Sequence, residues 1–256
     1  MKRAIIFTIL FIFLIIVVTI FREKPKKIIR PIIPAVTIKG EIAIVIDDWG
    51  YSLNNLSAIE KIKYPLNVSI LPNLKYSQEI ASKLHSEGFE IMLHLPMQPL
   101  EKLPLEKNTI SSSMSRDKII KVIADDLTNL TYARGVNNHM GSKATGDLRI
   151  MEAVFKELKK RNLYFLDSFV NPASVCIELS HKFNYKIFKR DVFLDNVASR
   201  EYILGQINRL KSKAKSSGFA IGIGHDRKLT LEVLKEAMPQ LAKEGYRFVY
   251  LSEMAK

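Results

Sequence analysis

An α/β fold built on a mainly parallel sheet, open or closed into a barrel, is the architecture this sequence predicts. Short apolar runs alternate with amphipathic helical stretches about seven times from Glu41 onward, and parallel strands need such crossovers. Most of the runs end directly on Asp or His, and open and closed parallel sheets alike carry their chemistry at the carboxyl ends of the strands. The chain has 256 residues, 47% of them apolar, which suits one barrel-sized domain as well as two small ones.

In chain order, the first element is a membrane anchor. Met-Lys-Arg is followed by an apolar run from Ala4 to Phe21 broken only by Thr8 and Thr19. Such a run just spans a hydrocarbon core of ~30 Å, whereas the apolar part of a cleaved signal is about 7–15 residues long. No small-residue cleavage site follows in "VVTIFREKPKK", and no cysteine is placed for lipidation. Residues 1–23 are therefore expected to be an uncleaved transmembrane anchor and residues 24–40, with Pro25, Pro31 and Pro34, an extended basic linker. Residues 41–256 form the catalytic domain, expected outside the cytoplasm in the periplasm or at the cell surface. The net charge is +13, of which residues 1–30 hold +6, a flank suited to anionic lipid headgroups. No nucleic-acid-binding motif accompanies that charge, so a nucleic-acid partner is not expected. The sole cysteine, Cys176, has no partner for an internal disulfide.

The strand candidates follow as Ile42–Ile46, Leu66–Leu71, Phe89–Leu93, Gly135–Asn138, Leu163–Leu166, Val192–Leu194, Phe219–Ile223 and Arg247–Leu251. Between them lie helical patterns such as "SQEIASKLHSEG", "SRDKIIKVIADDLTNL", "DLRIMEAVFKELKKRN", "SREYILGQINRLKSKAKSSG" and "LTLEVLKEAMPQLAKEG". At the ends of the runs stand Asp47 and Asp48, His94, His139, Asp167, Asp195 and His225. A single Asp at such a place is as well explained as a turn or helix cap. Metal-type ligands at six strand ends together point to a site. His85 and His181 fall elsewhere and read as surface histidines.

Imidazole nitrogen with carboxylate oxygen is the donor set of a catalytic zinc or similar divalent ion, with two His and one Asp as the protein's share. A further carboxylate can take a proton and a further His can donate one. Asp47 and Asp48 would point to opposite faces of a regular strand, but Gly50 eases a turn that lets both face the site, one holding metal and one acting as base. Trp49 and Tyr51 either stack on a sugar or pack within the loop. Phosphate-loop, dinucleotide, G-x-S-x-G and H-E-x-x-H motifs are absent. Gly222 and Gly224 are expected to let the backbone approach the site beside His225.

The segments "IAIVIDDWGYS", "MLHLPMQP", "GVNNHMGSKAT", "LYFLDS", "RDVFLDN" and "AIGIGHDRKLTLEVL" resemble the divergent polysaccharide deacetylases, relatives of the NodB-type carbohydrate esterases. The likeness covers Glu41 to Ser252 in order. It implies a distorted (β/α) barrel of about seven strands and a metal-dependent site that removes acetyl groups from an envelope or extracellular polysaccharide. It further implies Asp47 as base, Asp48 as metal ligand and His225 as acid, with Arg190 and Asp195 in supporting places; the strand ends add His94 and His139 as the remaining metal ligands and Trp49, Asn138 and Asp167 as supporting or substrate-binding residues. The sequence departs from the NodB-type pattern because "HLPMQP" has no second histidine, so His139 must come from another strand end. A fold that retains glycan binding and has lost turnover is the alternative reading.

Overall fold

The computed structural model describes residues 38–254. The expected anchor and nearly all of the linker, residues 1–37, lie outside the described residues. Among the described residues no helix is long and apolar enough to cross a membrane.

The elements in order are β1 (Gly40–Trp49), α1 (Leu56–Ile59), β2 (Asn67–Ile70), α2 (Ser77–Ser86), β3 (Glu90–Met97), α3 (Arg116–Asn129), β4 (Gly135–Met140), a 3-10 turn (Ala144–Gly146) and α4 (Leu148–Lys160). Next come β5 (Tyr164–Asp167), α5 (Cys176–Phe183), β6 (Ile187–Lys189), β7 (Val192–Phe193), α6 (Arg200–Ser217), β8 (Phe219–His225), α7 (Lys228–Lys243), β9 (Tyr246–Phe248) and α8 (Leu251–Met254). Three of the helices start where hydroxyl or carboxylate side chains cap them. Ser115 accepts from Lys118 N–H, Asp147 from Ile150 N–H and Ser199 from Tyr202 N–H, each satisfying a backbone donor that the first turn leaves open.

All pairings between strands are parallel, in the order β6-β5-β4-β3-β2-β1-β8-β7. β9 runs beside Gly40–Ile42 of β1, and β2 pairs further along at Val45–Trp49. The two outermost strands, β6 and β7, are consecutive in the chain and joined through Arg190 and Asp191 alone. A link that short requires the sheet to curl until its ends nearly meet, giving a curled half-barrel of parallel strands rather than a flat sheet. The barrel of about seven strands that the resemblance implied is corrected to nine strands among the described residues, one more than the eight apolar runs of the sequence. The added strand is β6, whose "IFK" was too short to register as an apolar run. The last expected strand, Arg247–Leu251, ends early because Leu251 opens α8.

Side chains alternate about the strands. On β1, Ile42, Ile44 and Ile46 join the larger core beneath the helices, while Ala43 and Val45 line the inside of the curl with Met92, Leu166, Ile221 and Ile223. Burying each large aliphatic side chain of this kind contributes about 1.5–3 kcal/mol. Gly222 and Gly224 stand on the helix side of β8. A Cβ at Gly222 would meet Leu210 Cδ2 at 2.8 Å and one at Gly224 would meet Thr230 Cγ2 at 2.9 Å. These glycines seat α6 and α7 against the sheet and do not open the site, which corrects the sequence expectation.

Candidate metal centre and active site

The alternation that builds the inner core continues into its mouth. Asp47 follows Ala43 and Val45, His94 follows Met92, Asn137 and His139 follow Gly135, and His225 follows Ile221 and Ile223. Asp48 should point away from this series. It does not, because β1 bulges there: pairing with β2 runs from Ile46–Val68 to Trp49–Ile70, three steps against two. Asp48 takes φ 66° and Gly50 φ 126°, a left-handed turn that brings the Asp48 carboxylate round beside Asp47. The same extra residue returns Trp49 to the helix-side series, where it is 0% exposed in the core with its indole N–H unpartnered. Trp49 is thus a packing residue, the second of its two expected roles, and does not face a sugar. Tyr51 is 52% exposed and its hydroxyl bonds Glu106.

Asp48, His94 and His139 converge from β1, β3 and β4. Asp48 Oδ1 lies 3.2 Å from His94 Nε2 and 3.1 Å from His139 Nδ1, and the two ring nitrogens are 3.2 Å apart. Tetrahedral zinc with bonds of 2.0–2.1 Å would separate its ligands by roughly 3.3 Å, so the three atoms already have the spacing of a divalent centre. Burial pushes the Asp48 carboxyl up, but hydrogen bonds from His139 and His94 outweigh it and hold the group well below the usual range. Burial opposes charge on His94, yet Asp47 and Asp48 draw its pKa up to about 9. Three donor atoms this close need a shared positive charge, and a divalent cation fits the set.

Asp47 is buried and accepts from Asn137 Nδ2 at 2.9 and 3.1 Å, with His94 Nε2 at 3.7 Å from its Oδ2. Burial raises its pKa, only partly offset by the nearby His94 and His225 and by Asn137. Asn137 Oδ1 lies 2.9 Å from His94 Nδ1 and accepts from the Ser69 hydroxyl. His225 lies opposite Asp47 on the adjacent strand. Its Nδ1 is 2.7 Å from Asp195 Oδ1, while Asp195 Oδ2 accepts from His225 N–H at 2.9 Å and Thr230 Oγ1 at 2.7 Å. Burial alone would lower the His225 pKa, but the Asp195 hydrogen bond and charge raise it. Burial alone would raise Asp195, but the hydrogen bonds from His225 and Thr230 bring it down.

The structure brings together Asp47, Asp48, His94, His139, His225 and Asp195. It sets three other nominated residues around the rim as braces. Asn138 Nδ2 donates to Met140 O at 2.6 Å and its Oδ1 accepts from Ser168 N–H at 2.9 Å. Asp167 accepts from Phe169 N–H at 2.8 Å and from the Ser174 hydroxyl at 2.6 Å. Arg190 donates to the carbonyls of Ser168 and Phe169 at 2.7 and 3.0 Å and covers the Phe193 ring at 3.7 Å. Together they fix Phe169, a bulky residue at φ 49°. Asn137, Ser69 and Thr230 escaped the sequence reading. Counting by twos back from His139 would have found Asn137, whereas Ser69 lies within a strand with no acid or histidine at its end. Clefts of about 380 and 450 Å³ lie at the opposite, amino-terminal end of the strands, around Tyr185 and Tyr64, and hold none of the candidate ligands.

Comparison with known proteins gives this arrangement its relatives. The chain is 40% identical over 204 residues to the uncharacterized protein YibQ of Escherichia coli, a match covering 80% of this chain and 64% of that protein. It thus spans less than two thirds of that relative's length. An uncharacterized protein of Agrobacterium tumefaciens has a similar crystal structure, with TM-score 0.81 and 21% identity over 85% of this chain and 90% of that one. A family 4 carbohydrate esterase from Streptomyces lividans, solved with acetate, aligns at TM-score 0.57 and 12% identity, covering 83% and 93% of the two chains. A family 4 pseudoenzyme from Bacillus anthracis aligns at TM-score 0.51 and 15% identity, covering 84% and 65%. At these identities the solved structures establish the fold alone, the parallel α/β half-barrel of NodB-like proteins. The family model "Divergent polysaccharide deacetylase" matches residues 44–255, and the chain belongs to that family.

Proposed function

We propose that this protein is a metal-dependent hydrolase that removes acetyl groups from an envelope or extracellular polysaccharide. The observation that carries the reading is the convergence of Asp48, His94 and His139 within 3.2 Å of one another, beside a buried carboxylate and a His–Asp pair. Asp48 Oδ1, His94 Nε2 and His139 Nδ1 would hold the metal, zinc being the ion that best suits them. A bound divalent ion supplies Lewis-acid polarisation of an acyl oxygen and lowers the pKa of water.

The chain's own groups supply the rest. Asp47, with both oxygens held by Asn137 Nδ2 and its pKa raised by burial, is the base that takes the proton of the attacking water. His225 faces it across the mouth and is oriented through Nδ1 by Asp195, leaving Nε2–H to protonate the departing sugar nitrogen or oxygen. The acyl C–N or C–O bond breaks, acetate leaves, and the sugar keeps the proton that His225 gave up. The apolar run in residues 4–21 supports a membrane-anchored protein whose catalytic domain acts outside the cytoplasm.

Zinc content of the purified protein and acetate release from acetylated glycans test the reading. The expected result is about one zinc per chain and acetate release that Asp48→Ala lowers by at least about 10²-fold. A protein that binds no divalent metal, or an Asp48→Ala variant of unchanged rate, overturns it. The alternative, a glycan-binding protein on the same fold, is favoured by the lack of a second histidine in "HLPMQP". It predicts glycan binding with no acetate even in excess metal.

A further inference from the structure

The geometry points to Asn137 as the positioning residue that aligns the metal-binding histidine and the base through one side-chain amide. This deepens the functional reading above and rests on it. The ionised Asp47 carboxylate can only accept hydrogen bonds. Asn137 must therefore turn its NH₂ toward Asp47, and does so at 2.9 and 3.1 Å to the two oxygens. The amide being planar, its carbonyl then faces the opposite way, where it meets His94 Nδ1 at 2.9 Å and the Ser69 hydroxyl. A carbonyl only accepts, so Nδ1 of His94 must carry a proton. The lone pair of the neutral ring is then on Nε2, the atom aimed at Asp48 and His139.

The order of donors and acceptors thus runs without ambiguity from the base through one amide to the metal ligand. Reversing the amide would set its carbonyl against the Asp47 carboxylate, acceptor against acceptor. Asn137 is 0% exposed, Ser69 is 0% exposed, and the Ser168 hydroxyl stands 3.4 Å from the amide nitrogen. No lysine or arginine side chain hydrogen-bonds Asp47 among the described residues, so this neutral amide is its direct hydrogen-bond donor. Outer hydrogen-bond partners of this kind fix the tautomer and the ring orientation of metal-bound histidines.

The test separates the two ends of the amide. Asn137→Ala removes both contacts, Asn137→Asp keeps an oxygen for His94 and deletes the N–H donor to Asp47, and Ser69→Ala deletes only the hydroxyl that steadies the carbonyl. Zinc affinity is measured in the full-length chains by competition with a chromogenic chelator, without substrate, and acetate release is measured separately. Asn137→Ala is expected to weaken zinc binding about 10–100-fold, Ser69→Ala by about 3–10-fold, and Asn137→Asp by less than about threefold while still losing at least about tenfold in kcat at unchanged KM. A merely structural residue would lower both readouts together in both Asn137 variants, and that outcome overturns the proposal. Unchanged zinc affinity in Asn137→Ala also overturns it; if that variant does not fold, unchanged affinity in Ser69→Ala does so. A wild type that binds zinc but releases no acetate overturns the deacetylase reading while the affinity comparison still decides the role of Asn137. A wild type that binds no zinc overturns both.

Discussion

His225 and Asp195 show how a residue's surroundings set its task. The imidazole is partly buried, which disfavours its charge, yet Asp195 at 2.7 Å raises its pKa above the ordinary value. The shift favours the imidazolium over the neutral ring relative to a free histidine, in the direction an acid catalyst needs. Asp195→Asn removes the charge and keeps the shape. The His225 pKa should fall, so the alkaline limb of the kcat profile should move to lower pH and the rate at pH 8 should drop about 10²-fold. A profile that does not move would show that another group supplies the proton. Stability follows the same pair. The raised His225 stabilises the fold fully below its unfolded value, about 6.5, and loses that contribution as pH rises through the folded value. The depressed Asp195 contributes above about 3.9 and loses its share as pH falls through its folded value. In wild type the pair therefore contributes most between those limits, and Asp195→Asn should lower the melting temperature there more than outside them.

At the level of the element, the strand ends were legible in the sequence and the turns between them were not. Asp47, Asp48, His94, His139 and His225 follow apolar runs, and parallel strands deliver such residues to one mouth. The bulge at Asp48 was hidden, because it arises from the register between β1 and β2, a long-range property. The choice between the two readings of Trp49 was hidden for the same reason: one added residue moves a side chain from one face of a strand to the other. Asn137 fell inside the expected strand Gly135–Asn138 without being singled out, because its role depends on parity along β4. A similar tertiary effect acts on α3. Asp126 there is buried, its Oδ2 has no partner, and burial with the nearby Asp125 outweighs the Asn73 hydrogen bond to raise its pKa to about 7. A raised carboxyl stabilises the protonated state, so wild type loses stability as pH rises from about 4 toward 7. Asp126→Asn removes the ionisation and should be more stable than wild type by about 1–2 kcal/mol at pH 8, with the difference shrinking toward pH 5. Urea titrations at the two pH values measure it; an equal difference at both would place the effect elsewhere.

For the whole molecule, the candidate centre is also a tie across the sheet. Its three ligands come from β1, β3 and β4, and β2 lies between β1 and β3 in the hydrogen-bonded order, so the site spans four neighbouring strands of the curl. Without a cation, mouth carboxylates and imidazoles of mixed charge meet within 3.2 Å in a setting where Asp47 is buried, and burial of such groups costs stability unless they are paired. A ligand that binds only the folded state adds about 2.7 kcal/mol when present at 100 times its dissociation constant. For a domain of this size each kcal/mol corresponds to about 2–4 °C. Zinc should therefore raise the melting temperature of the chelator-treated protein by about 5–10 °C, and a His94→Ala/His139→Ala double variant should show no such rise. The direction of the double variant's own melting temperature without metal distinguishes two accounts of the site. Removing both rings leaves Asp48 without its hydrogen-bond donors and Asp47 without the nearby imidazole, so the metal-free variant should melt below metal-free wild type at pH 7. A variant that instead melts higher would mean that the four groups are mutually strained until metal arrives, with the fold holding the mouth open for the ion at its own expense.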